Sequence, residues 1–231
     1  MQLLGFEEIT GKIRLISGLH IGAGDTEMKI GGTDNPVIKH PHTLEPYIPG
    51  SSIKGKVRSL LEMRSGLMVQ TKGHPVSLKT LKNLDGPDKE TCAKILMLFG
   101  SSGADSDEND TLGPTRVSFS DCAFTQEWRD RAAEEHLVLT EVKPENSINR
   151  IQGTAENPRF TERVPADTEF KLHITLKQLN PDENLLDFLI QGLKLLQMDA
   201  LGGSGSRGYG RIEFCFDDKK IQDRFDKCDP F

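Results

Sequence analysis

Four cysteines are all this chain has, Cys92, Cys122, Cys215 and Cys228, and no two of them form a C-x-x-C pair. Histidine partners at zinc spacing are also missing, so no structural zinc is expected and the thiols read as reduced and structural. No apolar run approaches the roughly 20 residues that cross a bilayer. The first residues, Met1-Gln-Leu-Leu-Gly-Phe-Glu-Glu, lack the basic start and apolar core of a signal peptide, and a cytoplasmic location with no membrane partner is the expectation. There are no paired carboxylates at glycosidase-like spacing, no nucleophile elbow and no H-E-x-x-H. An excess of basic charge is missing too. The net charge of −6 counts against a free-standing nucleic-acid binder, although local patches rather than net charge do the binding. Many of the acids sit in 105–110 and in the tail after Asp217, and both stretches read as solvated loops.

What remains is a 231-residue globular chain with 35% hydrophobic and 28% charged residues, long enough for one large domain with insertions. Ile13 and Leu15 alternate with Lys12 and Arg14 in a strand over 8–19. Ser51 or Ser52 can cap a helix in which Ile53, Val57, Leu60 and Leu61 share one face. Residues 65–115 are polar and broken, with one short helix near Cys92 to Phe99, and read as an insertion. A strand over 117–124 and a short helix over 127–136 follow. Phe170, Leu172, Ile174 and Leu176 alternate cleanly with polar neighbours in a strand over 168–177. Asn180-Pro181-Asp182-Glu183 is a helix start whose apolar face is Leu186, Leu189, Ile190, Leu193 and Leu196. Gly202 is placed to stop that helix, and a strand over 209–216 ends the pattern. Without the insertions the order is βαββαβ, so the expected class is α+β with a ferredoxin-like core, the order that the RNA recognition module shares.

Three segments carry candidate chemistry. Gly203, Gly205 and Gly208 spell G-x-G-x-x-G, but a helix precedes them and a strand follows, the reverse of a dinucleotide site. Their backbone N–H groups can meet phosphates, with charge from Arg207 and Arg211 and a stacking face from Tyr209. Gly50-Ser-Ser-Ile-Lys-Gly-Lys56-Val57 falls one residue short of a P-loop, because Val57 has no hydroxyl for magnesium, and no nucleotide cofactor is expected. The same helix start can hold a phosphate, with Lys54 and Arg58 as an i, i+4 basic stripe; the alternative is a plain solvated helix. The third segment, 143–163, reads as a hairpin with turns at Gly153 and Asn157-Pro158. Arg150, Arg159 and Arg163 can hold phosphates there, and Ile151 or Phe160 can wedge between bases; the alternative is an ordinary surface hairpin. A lone carboxylate, Asp34, lies in the loop Gly31-Gly-Thr-Asp-Asn-Pro-Val-Ile, where capping a turn is its usual role. His20 is the nearest candidate acid or base.

Together, Gly18-Leu-His-Ile-Gly-Ala-Gly, Asp34-Asn-Pro-Val, Tyr47-Ile-Pro-Gly-Ser-Ser-Ile-Lys-Gly-Lys-Val-Arg58, Thr140-Glu-Val-Lys-Pro-Glu-Asn-Ser-Ile-Asn-Arg150, Asn157-Pro-Arg, Glu162-Arg-Val-Pro and Gly202-Gly-Ser-Gly-Ser-Arg-Gly-Tyr-Gly-Arg211 resemble the RAMP superfamily of CRISPR-associated proteins. The likeness is to the repeated backbone subunits of type III-A (Csm) effector complexes and spans roughly the full chain, the 65–115 stretch excepted. It implies one RAMP domain over 1–231, with 65–115 as a lid-like insertion and 143–165 as a thumb hairpin. Copies stack along one CRISPR RNA, beside other Csm subunits that include the large polymerase-like one. The implied RNA contacts are His20, then Ser51, Ser52, Lys54, Lys56 and Arg58 of the first helix, then Lys143, Asn146, Arg150, Arg159 and Arg163 of the hairpin. Gly203, Gly205, Ser206, Arg207, Gly208, Tyr209 and Arg211 of the glycine run complete them. The thumb displaces one base in every six, and Asp34 matches the residue associated with cutting single-stranded target RNA there, at six-nucleotide intervals. RNA supplies its own nucleophile, the 2′-hydroxyl, so one carboxylate that recruits a divalent cation (Mg²⁺, or Mn²⁺ in its place) or takes the proton suffices. The alternative within the same resemblance is a non-catalytic guide-binding subunit.

Overall fold

The computed structural model describes residues 2–24, 35–101, 112–180 and 184–231. The described residues make a mixed α+β protein with two antiparallel sheets. β1 (Gly5–Leu15) is followed by helices α1 (Gly50–Arg64), α2 (Leu67–Gln70), α3 (Leu78–Lys82) and α4 (Gly86–Phe99). Then come β2 (Val117–Phe119), α5 (Gln126–Glu134), β3 (Glu141–Ile148), β4 (Ala155–Arg163) and β5 (Glu169–Gln178), and last α6 (Leu186–Met198), β6 (Ile212–Phe216) and α7 (Lys219–Lys227). Four strands form one sheet in the order β2-β5-β1-β6, and β3 pairs with β4 in a separate hairpin.

The period-2 pattern sets the main sheet. Ile9, Ile13 and Leu15 of β1 point inward with Phe170, Leu172, Ile174 and Leu176 of β5 and with Ile212, Phe214 and Phe216 of β6, all buried. Ile13 stands opposite both Phe170 and Phe214, so apolar side chains line up across the three strands. α1 and α6 cover this face together. They approach closely because residue 192 is glycine; a Cβ there would lie 2.6 Å from Val57 Cγ1. The opposite face carries Thr10, Lys12 and Arg14 beside Glu169, Lys171 and His173, with Lys12 bonded to Glu169 at 2.9 Å. These central positions present no Phe, Tyr or Trp on which bases could stack in the manner of an RNA recognition module. At the β6 edge, the amides of Phe214 and Phe216 donate to the side-chain carbonyls of Gln197 and Gln222, both at 2.8 Å, which closes the edge to further pairing.

Several boundaries depart from the sequence reading. Where one short helix is expected in 65–115, the described residues form three, and α4 alone runs for 14 residues. Leu67, Val76, Leu78, Leu84, Cys92, Ile95, Leu96, Leu98 and Phe99 are part of the core. Polar composition hid this because the apolar residues are spread over three helices and the loops between them. The tail after Asp217 is α7, not a solvated loop. Its Ile221 and Phe225 are buried, and the Phe225 ring packs 5.1 Å from that of Phe216. The helix start placed at Pro181 lies partly outside the described residues, and α6 begins at Leu186 without a side-chain cap. All four cysteines are free thiols, and burial pushes Cys92 up to about 11 and Cys122 to about 12.

Candidate nucleic-acid interface

The glycine-rich run forms a ledge against the end of β1. Gly203 N–H donates to the His20 carbonyl at 2.9 Å, Gly210 N–H to the Gly18 carbonyl at 2.9 Å, and Leu201 N–H to the Gly210 carbonyl at 2.9 Å. Two glycines are required by contact. A Cβ at Gly202 would lie 2.3 Å from His20 O, and one at Gly210 would lie 1.9 Å from Leu201 O, with φ of 75° and 71°. Replacing Gly210 by Ala is therefore expected to cost more than about 3 kcal/mol and to disrupt the ledge. Gly208→Ala meets open space at φ 83° and should cost only the left-handed strain, about 1–2 kcal/mol. Thermal melting of the two variants checks the difference. Gly203, Ser206, Arg207, Gly208 and Arg211 are exposed on this ledge, and Gly205 is half-buried in a short 3₁₀ turn.

Beside the ledge stands the β3–β4 hairpin. Glu141, Lys143 and Glu145 alternate on its inner face, and Asn149 caps its tip by accepting from the N–H groups of Ile151 (3.0 Å) and Gln152 (3.1 Å). Ile151 is 97% exposed at that tip, next to an exposed Arg150, and Phe160 is 47% exposed on β4. Hairpin and ledge enclose a cleft of about 310 Å³ lined by Lys143, Asn146, Arg159 and Arg207, together with Glu145, Ser147 and Asn157. Four of the residues singled out from sequence thus meet in one place, although Lys143 and Arg207 lie 64 positions apart in the chain.

Two of the sequence assignments need correction. Tyr209 is not a stacking face: it is fully buried, and its ring lies under Lys143 Nζ (4.4 Å) and the Arg163 guanidinium (5.1 Å). It is a platform for two cations rather than for a base. Burial, and then the neighbouring Glu145, hold its phenol above the ordinary value. Arg58 is not part of a basic stripe. Its guanidinium donates to Glu62 (2.8 Å) on the same helix, and to the Gly100 carbonyl (3.0 Å) and the Val76 carbonyl (2.7 Å), which bind α1 to the 65–100 segment. Lys54, one turn earlier, is half-buried, and burial followed by the Arg58 charge lowers its pKa. Lys56 bridges to Asp199 at 2.7 Å, which ties α1 to the start of the ledge. The start of α1 holds exposed Ser51 and half-buried Ser52 with no acid in its first turn, yet its Gly50 N–H already donates to Asp121 at 2.8 Å.

His20 sits where ledge, hairpin and the 35–39 segment converge. Its Nδ1 lies 2.7 Å from the Glu162 carbonyl, a contact in which Nδ1–H donates. The Glu162 side chain is 9% exposed and accepts from Lys39 Nζ (2.6 Å) and Val37 N–H (2.9 Å), while the Glu162 backbone N–H donates to the Asn35 carbonyl (3.1 Å). Asp34 lies outside the described residues, but the residue after it in the chain is held by this network. Burial alone would raise the Glu162 pKa; Lys39, the Val37 amide and Thr140 outweigh it and leave the value below the ordinary 4.5. A carboxylate lowered by folding contributes its full stability above the unfolded value and loses it as pH falls through the folded value. Stability should drop as pH falls below about 4.5, and Glu162→Gln should flatten that acid limb in melting curves taken across pH. Glu141, Glu145, Asp199 and Glu162, which pair with the cations, were not singled out from sequence. The alternation Glu141-Lys143-Glu145 was the available signal for the first two.

With this geometry in place, comparison decides the family. The model of the RAMP superfamily matches residues 12–213. The chain belongs to the RAMP superfamily. It is 40% identical over 221 residues to the "CRISPR system Cms endoribonuclease Csm3" of Methanothermobacter thermautotrophicus, covering 89% of this chain and 82% of that one. It is also 40% identical over 211 residues to the protein of the same name from Enterococcus italicus, covering 90% and 89%. Among solved structures, a chain of the Csm3–Csm4 subcomplex of the type III-A CRISPR-Cas interference complex matches with a TM-score of 0.55 and 27% identity, over 93% of this chain and 77% of that one. No helix among the described residues of this RAMP protein is long and apolar enough to cross a membrane.

Proposed function

We propose that this RAMP protein is a CRISPR-RNA-binding backbone subunit of a type III-A (Csm) interference complex and an endoribonuclease that cuts complementary target RNA within it. The carrying observation is the cationic cleft where the hairpin meets the glycine ledge, in a chain whose relatives are named endoribonucleases. The strand order β2-β5-β1-β6, with helices on one face, supports a ferredoxin-like core. The β3–β4 hairpin acts as the thumb, its exposed Ile151 and Phe160 displacing bases. Copies of the chain stack along the guide next to other Csm subunits, the large polymerase-like one among them, in the cytoplasm.

In the proposed reaction the ledge and Lys54 hold the guide backbone, the hairpin opens the stack, and the freed target phosphodiester takes up in-line geometry for the neighbouring 2′-hydroxyl, whose oxygen bonds to phosphorus as the P–O5′ bond breaks and the 5′-oxygen leaves as a hydroxyl. Asp34 acts on the cut site. Among the described residues no group of three or more His, Cys, Asp or Glu side chains is placed to hold a metal ion. A divalent cation, Mg²⁺ or Mn²⁺, would be held by Asp34 together with RNA oxygens. The complex reconstituted with this chain and a defined guide should cut labelled complementary RNA and spare RNA of unrelated sequence. Absence of guide-dependent cutting by the complete complex would remove the endoribonuclease assignment.

A further inference from the structure

Two cations of the cleft, Lys143 and Arg207, already share a carboxylate of the protein itself. Glu145 is only 18% exposed and lies 3.2 Å from Arg207 Nε and 3.7 Å from Lys143 Nζ. It thus stands between one cation of the hairpin and one of the ledge, on the wall of the same cleft. Below it lies the fully buried ring of Tyr209. Lys143 is held over the Tyr209 ring and Arg207 is held by Ser204 Oγ at 2.6 Å, so both cations keep a second support if the carboxylate leaves.

A carboxylate bridging an arginine and a lysine occupies the position that a phosphodiester would take, because both are anionic oxygen acceptors for the same donors. We infer that Glu145 is an internal phosphate stand-in, which an RNA phosphate displaces from Arg207 and Lys143 when the cleft is filled. This role deepens the RNA-groove assignment made above and depends on it. Its consequence is restraint. A single subunit binds RNA weakly because each phosphate must compete with a tethered carboxylate, and firm binding needs many subunits acting on one RNA.

The test is an equilibrium titration of the full chain with a labelled single-stranded RNA at several salt concentrations. Glu145→Gln keeps the shape and removes the charge. It should bind about fivefold tighter than the unaltered chain. The slope of log K against log salt should steepen by about 0.7, the value of one additional phosphate neutralised on a single strand. The gain should shrink when Arg207→Ala is combined with it. Glu145→Thr, a substitution suited to a strand, serves as the second variant and should behave in the same way. Equal or weaker binding by both folded variants would overturn the inference and make Glu145 a brace for the cations. Absence of RNA binding by every variant would overturn the RNA groove itself, and the inference with it.

Discussion

Replacing Arg58 by Ala is expected to lower the melting temperature by roughly 10 °C, although sequence suggests an exposed phosphate contact. The Arg58 and Glu62 side chains are 18% and 6% exposed, and the pair is completed by the Val76 amide, which donates to Glu62 at 3.2 Å. Removing the guanidinium leaves a buried carboxylate without its cation and two backbone carbonyls without donors. Loss of one partner of a buried pair costs about 3–5 kcal/mol, and about 2–4 °C per kcal/mol for a chain of this size gives the shift. Lys54→Ala, one turn away, should leave the melting temperature nearly unchanged and weaken RNA binding, with a salt slope shallower by about 0.7. Calorimetry and RNA titration on the two variants separate the structural cation from the binding one.

Asp34→Ala is expected to reduce target cleavage by about 10²–10⁴-fold while leaving guide binding and target capture intact. That range is the contribution of a positioned general base or acid. The groove residues lie on other elements and keep their contacts. The assay is single-turnover cleavage by the complex, with filter binding of the same target in parallel. If cleavage and target binding fall together, Asp34 serves the fold or the groove. If neither falls, catalysis lies elsewhere and the chain is a non-catalytic guide-binding subunit.

The sequence carried much of the fold where one periodicity dominated. Phe170 to Leu176 alternates without interruption, and β5 is the central strand that this pattern requires. The α1 and α6 faces were equally clear. α7 was not, because two apolar residues four apart, Ile221 and Phe225, are set among seven polar or charged ones, and only contact with Phe214 and Phe216 makes them core. The site was legible in its cations and illegible in their partners. Glu62 was hidden because Val76 and Gly100, which enclose Arg58, come from a segment that reads as polar. Tyr209 looked exposed because its burial depends on Lys143 of β3 and Arg163 of β4, which lie over its ring but more than 40 residues away in sequence.

The most direct test of the central claim is the size of the products when a complex containing several copies of this chain meets an end-labelled target RNA. The account predicts a ladder whose steps are six nucleotides, with one cut for each thumb that meets the guide, and loss of the ladder in Asp34→Ala complexes. A single cut, an irregular pattern, or a ladder that persists in the variant would contradict it.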